Sequence, residues 1–571
     1  MKHTRPLLFF RLSSGRPPLP QCRFQNSSQP ATSISRPASA TNTRSLRAYY
    51  SSSADTAEMA EVSASPVPAA GTRERTYANG RMRTQDAITA LNGFQSNFAA
   101  LEALRKNPGY SNQKSMPEMI EWFRRAGYKP SDFTPLSVLH VAGTKGKGST
   151  CAFITSILRQ YSLSPTYQFP RKIGTYTSPH LKAVRERIQI NGHPISETLF
   201  TKYFFELYDR LDQSGEREGL GGLSDGVKPM YFRFLTMLAL HTYLREGCDT
   251  VILEVGIGGE HDSTNVVEAP TVTGITRLGI DHVGLLGHTL GSIAWHKAGI
   301  FKTGSMGMSV PQEEEAMTTI RERVEEKKID FEVIPVLKGV EKVKLGLAGE
   351  FQKGNASLAV KMVEEHMRRC TGKEIGVGDG ETLPEEVKRG LETAVWKGRC
   401  QTISEDEVEW CVDGAHTKDS IKEAGKWFAG VDRSEYKNIV LLFNQQTRDA
   451  EQLAKDLNQI LKDQLGGDIF THVYFTTNRT YSDHTTKLDL ISINISSEAV
   501  DTLKVQKGLA KAWPDTGSRA EVHVMETIQE TVDAIRKLEG KSQVLVTGSL
   551  HLVGGFLEVV EHGEEAAILL N

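Results

Sequence analysis

The sequence predicts an α/β protein in two parts: a large N-terminal domain on a mainly parallel sheet, and a smaller C-terminal α/β domain. Three observations carry this. Short apolar runs of strand length alternate with longer stretches of helical period, as in strands joined by crossover helices. One run, Ser137-Val-Leu-His-Val-Ala142, ends in a glycine-rich turn and opens at once into a helical pattern. The alternation then restarts after Trp396-Lys-Gly-Arg399, beyond a polar, glycine-rich stretch at 371–380.

The turn itself reads Gly143-Thr-Lys-Gly-Lys147-Gly-Ser-Thr150, and Phe153, Ile154, Ile157, Leu158 and Tyr161 share one face of the helix behind it. Strand, glycine turn and helix N-terminus form a phosphate cradle: backbone N–H groups and the helix dipole favour an anion, and a lysine adds a point charge. It is a variant P-loop, because Gly148 stands where a hydroxyl usually follows the lysine. A glycine turn alone can be no more than a tight turn. Strand, lysine, hydroxyls and helix in this order point to a nucleotide.

Length and composition set the bounds. The 571 residues leave room for two or more domains of about 100–200 residues each. Apolar content of 39% and charged content of 24% match an ordinary globular protein, and a net charge of −2 argues against a general polyanion binder. The nearest approach to a membrane span, Met230 to Leu244, is interrupted by Arg233, His241 and Thr242 and reads as a buried helix. The six cysteines are dispersed, with no C-x-x-C pair, which suggests reduced thiols and neither a disulfide framework nor a zinc site.

The N-terminus differs in kind. Lys2, Arg5, Arg11, Arg16, Arg23, Arg36, Arg44 and Arg47 all precede the first acidic residue, Asp55, with Ser, Pro and Thr between them. That is the pattern of an organelle transit peptide, and mitochondrial import is expected; plain disorder is the alternative. Met59 and Met82 are downstream starts that would give a cytosolic form. The expected division is residues 1–83 as leader, 84–396 as N-terminal domain and 397–571 as C-terminal domain.

Helices are expected at Ala87–Leu104 and Met116–Ala126 ahead of the cradle strand. A strand around Ile188–Ile190 turns at Asn191-Gly192, and Gly215–Gly226 reads as a surface insertion. Buried strands follow at Asp249–Glu254 and Thr271–Thr276. The second part carries strands at Val408–Val412, Asn438–Phe443, His472–Thr477, Glu521–Met525 and Gln543–Thr547. Parallel sheets bind ligands at strand C-termini, where the cradle, Glu254 and His282 all fall.

As chemistry, Glu254 ends an apolar strand and needs a cation or a hydrogen-bond partner there; a structural ion pair and a Mg²⁺ site both satisfy it. His282 is either a hydrogen-bonded core histidine or a ligand, and imidazole is an unusual choice for a hard cation. Lys182 and Arg187 read equally as a solvated charge run, and Ser549 as a helix N-cap.

Taken together, His140-Val-Ala-Gly-Thr-Lys-Gly-Lys-Gly-Ser-Thr150, Thr177-Ser-Pro-His-Leu181, Glu254-Val-Gly-Ile-Gly-Gly259, Leu278-Gly-Ile-Asp-His282 and Ile293-Ala-Trp-His-Lys297 form an ordered set. Asp413-Gly-Ala-His416, Leu441-Leu-Phe-Asn444 and Val546-Thr-Gly-Ser-Leu-His-Leu-Val-Gly-Gly555 continue it. From Thr84 to the C-terminus the chain resembles the eukaryotic folylpolyglutamate synthases, within the Mur-ligase superfamily. The resemblance implies a P-loop ATPase-like N-terminal domain of the Mur-ligase central type and a Rossmann-like C-terminal domain. It also implies ATP-dependent ligation of L-glutamate to the γ-carboxylate of tetrahydrofolate or its polyglutamates through an acyl phosphate, which retains folates in the cell for one-carbon metabolism.

Carried over residue by residue, the resemblance places Lys145, Gly146, Lys147, Gly148 and Ser149 on ATP phosphates. It places Ser178, Glu254 and His282 on Mg²⁺, with a monovalent cation such as K⁺ as a further candidate. Arg399 and Asp413 would hold the nucleotide from the second domain, and Asn355 would touch the adenine. Arg187, His416 and Ser549 would meet the incoming glutamate. Lys147, Lys297 and His416 complete the catalytic set, Lys297 standing where many relatives carry a carbamylated lysine; as an ammonium it would contact phosphate instead. The implied partners are reduced folate, L-glutamate and ATP, with no nucleic acid, and the implied state is a monomer.

Two departures stand out. His261 occupies a position where relatives usually have an aromatic or aliphatic residue, and Asp413-Gly-Ala-His416 continues as Thr-Lys, unlike the Asn-Pro of bacterial members. Two other readings remain at this point: a nucleotide-regulated binding protein, which leaves Asp413–His416 without a role, and a ligase acting on a cell-wall precursor, which sits poorly with a transit-like N-terminus. Some relatives also make dihydrofolate from dihydropteroate, and the sequence does not itself exclude that.

Overall fold

A computed structural model of the chain describes residues 83–95, 108–223, 227–446, 449–483, 488–490 and 502–570. The expected leader lies outside these apart from Arg83, as does the second half of the helix expected at Ala87–Leu104. What is described of that helix runs Thr84–Asn92, with Ala87, Ile88 and Leu91 buried.

The first sheet has eight strands: β1 (Val138–Ala142), β2 (Ile173–Tyr176), β3 (Ile188–Ile190), β4 (His193–Pro194), β5 (Thr250–Glu254), β6 (Val272–Ile275), β7 (Met306–Ser309) and β8 (Asp330–Val333). Their order is β4-β3-β2-β5-β1-β6-β7-β8, and only β3 and β4 run antiparallel to their neighbours. β1 and β5 are central and buried along their whole length, which is why they read as mainly apolar runs. Their side chains still alternate. Val138, Val251 and Leu253 join the core on one face, while Leu139, Val141 and Ile252 join the core on the other.

Helix α1 (Lys147–Leu163) follows the cradle. α2 (Glu197–Arg217) and α3 (Tyr231–Arg245) cover the first face, and α4 (Leu290–Ala298) follows β6. α5 (Gln352–Thr371) packs beside α1 on the second face. α2 runs into the stretch expected to be a surface insertion. There Gly215 is buried, a Cβ on it would sit 2.2 Å from the Gly221 carbonyl oxygen, and Leu223 is buried in the core. Gly215 thus marks close packing, while residues 216–221 are exposed as a surface stretch would be.

The second sheet has six strands: β9 (Gln401–Ser404), β10 (Val408–Val412), β11 (Asn438–Phe443), β12 (His472–Phe475), β13 (Glu521–Val524) and β14 (Ser542–Thr547). The order is β13-β12-β11-β14-β10-β9, parallel except for β9. α6 (Lys418–Ala429) and α7 (Ala450–Leu465) cover one face and α8 (Leu550–Leu570) the other. Among the described residues no helix is long and apolar enough to cross a membrane.

The two sheets are joined at a defined place. The loop after β2 lays Leu181 against the core under α8. A Cβ on Gly554 of that helix would stand 2.1 Å from the Leu181 carbonyl oxygen, so only glycine lets loop and helix approach this far. Lys182 pairs with Glu561 and lies 3.7 Å from Glu558, and Lys397 reaches Glu561 at 2.8 Å. Gly554→Val should therefore force this joint open at a cost of about 1–3 kcal/mol. Chemical denaturation checks it; an unchanged midpoint would mean that the joint is not tightly packed.

Candidate active site

The cradle hangs from β1. Gly143 leaves the strand, and Gly146 caps α1 with φ +90°, where a Cβ would meet Asn355 Oδ1 at 2.2 Å. The N–H groups of Thr144 and Lys145 both donate to the Arg277 carbonyl at 3.1 Å, and Thr144 Oγ1 donates to Gly279 O. Lys145's backbone is thus committed to the loop after β6. The N–H groups facing an anion are those of the first helical turn, Lys147 to Ser149, which have no intrahelical acceptor. Gly148 departs from the usual hydroxyl because Trp396 lies against it, with ring atoms 2.9 Å from where a Cβ would be. Ser149 Oγ accepts from Gln352 Nε2, and Asn355 Nδ2 donates to Gln352 Oε1, so α5 braces the cradle from behind.

A cleft of about 3270 Å³ opens in front of it. Lys145, Gly146, Lys147, Gly148, Ser149, Ser178, Arg187, Glu254, His282 and Asn355 line it from the first part of the chain, and Arg399, Asp413 and His416 from the second. Thirteen of the fifteen expected site residues therefore share one cavity. Two do not line it. Ser549 Oγ accepts from Leu552 N–H at 3.0 Å at the start of α8, which is the N-cap alternative. Lys297 is buried under the cradle, where its Nζ donates to Gly143 O at 2.8 Å. Burial and the nearby Lys147 hold its pKa well below the ordinary lysine value.

Glu254 closes β5 at the cleft floor, 4% exposed. Among the described residues its carboxylate accepts one hydrogen bond, from Ser178 N–H at 2.9 Å. Burial pushes its pKa up, and Lys147 opposes that most, followed by the Ser178 N–H, Arg399 and Arg187. A buried carboxylate beside a hydroxyl residue and facing a cavity fits a hard divalent cation. His282 is exposed, in left-handed backbone (φ +52°), on the loop after β6 ahead of a short helix; neighbouring Asp281 lies 3.7 Å from Lys145 Nζ.

Arg187 is buried, and its Nε–H donates to His180 Nδ1 at 2.9 Å. Arginine only donates, so His180 carries its proton on Nε2 and donates to Asp489 O at 3.0 Å. Desolvation and Arg187 hold that imidazole down to about 3. In the second part, Asp413 follows β10 and Oδ2 accepts from Cys400 N–H at 2.8 Å; burial raises its carboxyl and Arg399 opposes the rise. His416 Nδ1–H donates to Gly414 O at 2.8 Å, leaving Nε2 as the ring's accepting nitrogen.

Residues 397–559 match the family model described as dihydrofolate synthetase, C-terminal domain. The chain is 46% identical to folylpolyglutamate synthase of Saccharomyces cerevisiae (strain S288c) over 483 residues, which is 84% of this chain and 87% of the yeast one. It belongs to the folylpolyglutamate synthase family. Solved structures of that family share the two-domain Mur-ligase fold. Mycobacterium tuberculosis folylpolyglutamate synthase complexed with ADP and AMPPCP superposes with a TM-score of 0.59 at 20% identity, covering 83% of this chain and 99% of that one. The apo form of the L. casei enzyme gives 0.60 at 20%, covering 84% and 100%.

One cleft residue escaped sequence reasoning. Asp262 is buried, lines the cavity, and accepts from Ile257 N–H and from Thr264 through N–H and Oγ1. Because the Thr264 hydroxyl proton goes to Asp262, the hydroxyl must accept from His140 Nε2 at 2.8 Å. The neutral ring of His140, inside β1, therefore carries its proton on Nε2, and burial lowers its pKa from 6.5 to about 3. The signal was a polar residue inside an apolar run.

The sign of the pH effect follows. The neutral ring's contribution is complete above the unfolded pKa of 6.5 and is lost as pH falls toward the folded value of about 3. Between pH 7 and 5, the urea stability of the wild type should drop by about 2 kcal/mol more than that of His140→Gln. Equal pH slopes would show that His140 protonates alike in both states.

Proposed function

We propose that the protein ligates L-glutamate to the γ-carboxylate of tetrahydrofolate or its polyglutamates, converting ATP to ADP and phosphate. The observation that carries this is one cleft uniting a lysine-bearing phosphate cradle and a buried carboxylate with Arg399, Asp413 and His416 from the other half of the chain. It occurs in a chain 46% identical to a folylpolyglutamate synthase. A carboxylate and an amine do not condense readily in water. Phosphorylating the γ-carboxylate gives a leaving group, and attack by the glutamate amine then expels phosphate.

The residues divide this work. The first-turn N–H groups of α1 and Lys147 hold the phosphates and offset charge on the transferring group. Glu254 and Ser178 would hold Mg²⁺, with His282 as a softer additional ligand; when bound, the cation neutralises phosphate oxygens. Asp413 and Arg399 approach the nucleotide from the second half. Arg187, oriented by His180, and His416 supply the polar groups for the amino-acid substrate. Lys297 acts on the cradle from beneath, through the Gly143 carbonyl, and its depressed pKa favours the unprotonated amine that carbamylation requires. The residues given these roles all come from one chain, which supports a monomer.

The test is purified protein with ATP, Mg²⁺, labelled glutamate and tetrahydrofolate, resolved by product chain length, with dihydropteroate as a parallel acceptor. Folate-dependent incorporation of glutamate with release of phosphate is expected; phosphate release without incorporation would overturn the ligase reading. Lys147→Ala should fold normally and lose at least about 100-fold in turnover, because a fixed charge on the transferring phosphoryl group acts in the transition state. Near-normal turnover at saturating ATP would remove Lys147 from the phosphates.

We further propose that residues 1–83 direct import into mitochondria, with a start at Met59 or Met82 giving a cytosolic form. The support is the eight basic residues ahead of the first acid, Asp55. Residues 1–50 fused to a fluorescent protein should carry it to mitochondria; a wholly cytosolic fusion would reject the proposal.

A further inference from the structure

Away from the cleft, at the outer edge of the six-stranded sheet, three side chains favoured by metal ions stand together. β12 begins at His472 and the edge strand β13 at Glu521, and the parallel register pairs His472 with Glu521 and Tyr474 with His523. Alternate residues share a face, so His472, Glu521 and His523 project from the same side of the sheet. His472 Nε2 lies 3.8 Å from one Glu521 oxygen and His523 Nε2 lies 3.5 Å from the other. One ligand atom from each residue falls within 4.8 Å of the others.

Two features set this group apart from a surface ion pair. The first is a fixed tautomer. Thr471 Oγ1 donates to Ile439 O at 3.0 Å, so it must accept from His472 Nδ1 at 2.9 Å. The neutral ring then carries a lone pair on Nε2, the nitrogen that faces Glu521. The second is His523, whose Nε2 is buried and has no hydrogen bond among the described residues, while its ring stacks on Tyr474 with centroids 4.4 Å apart. The lone pair of His472 Nε2 faces the Glu521 carboxylate, and the two repel unless a cation lies between them.

We propose that His472, Glu521 and His523 form a site for a divalent transition metal of the zinc class, which staples the edge strand β13 to β12. Zn–N and Zn–O bonds of about 2.0–2.1 Å put tetrahedral ligands about 3.3 Å apart, so the observed separations need only small rotamer adjustments. Two imidazoles and one carboxylate suit zinc and leave a fourth position for water, whereas Mg²⁺ prefers oxygen. None of the three residues lines the cleft. β13 ends the sheet and pairs with β12 alone among the described strands, so a metal bridging the two would hold that edge closed.

The test uses the full-length protein, stripped with chelator and held in excess Mg²⁺ so that hard-cation positions are filled. It is titrated with Zn²⁺ by calorimetry and with Co²⁺ by visible absorption. The wild type should take up one equivalent more than His472→Ala/His523→Ala, show the intense bands of tetrahedral cobalt, and melt at a higher temperature with zinc. The double variant should keep wild-type circular dichroism and ligase activity while losing all three responses. Should it fold poorly, Glu521→Ala, at a mostly exposed position, should weaken zinc binding by more than about tenfold. Equal zinc uptake by wild type and variants, or no saturable uptake by the wild type, would overturn the site.

Discussion

A carboxylate buried at the end of an apolar strand constrains everything around it. Glu254 is almost fully buried, and desolvation pushes it toward its neutral form. The groups that oppose this most are Lys147 in the cradle, the N–H of Ser178 after β2, Arg399 beyond the linker and Arg187. They come from distant parts of the sequence. A desolvated carboxylate at the floor of a cleft therefore ties together the cradle, the β2 loop and the second half of the chain. It also explains why cations gather around this end of the cleft: Lys147, Arg399 and Arg187, which counter its desolvation, all line the cavity.

The joint between the two halves serves the same end. Leu181 and Lys182 sit a few residues beyond Ser178, and they dock on α8 through an apolar contact and an ion-pair cluster. The segment 488–490 returns from the second half to the first: Asp489 accepts from Val184 N–H and His180, and Leu488 O accepts from Asn92. The loop that carries Ser178, His180 and Arg187 is thus held from both sides. Positioning of the site depends on this clasp as much as on the sheets, since each sheet alone presents only half of the cleft.

Much of this was legible in the sequence, and the reasons are local. β1, β5, β10, β11 and β14 are buried almost throughout, so each is a mainly apolar run, broken at few positions such as His140 and Glu409. The cradle was legible because its glycines, lysine and helix lie within one short segment. β7 was not: Met-Gly-Met-Ser is a weak strand former, with its place secured by β6 and β8 on either side. β8, with two exposed positions in four, has little apolar signal. Ser549 and Lys297 show the limit for sites. Each sits in a recognisable motif, but whether a side chain faces a cleft or a helix end depends on rotation about its own element, which spacing does not encode. Asp262 was missed for the converse reason: it is recognisable only once Thr264 and His140 are seen to orient it.

The departure at Gly148 follows from the same packing. In the usual phosphate loop the residue after the lysine carries a hydroxyl to the metal. Here that position is closed to any side chain, because Trp396, in the linker between the sheets, lies where a Cβ would go. Ser178, a hydroxyl residue that lines the same cleft, has its N–H on the Glu254 carboxylate. The two features are parts of one arrangement. Removing the side chain at 148 lets the linker close on the cradle, and the linker leads directly into Arg399, so the contact that costs the cradle its hydroxyl also delivers the second half's guanidinium to the cleft.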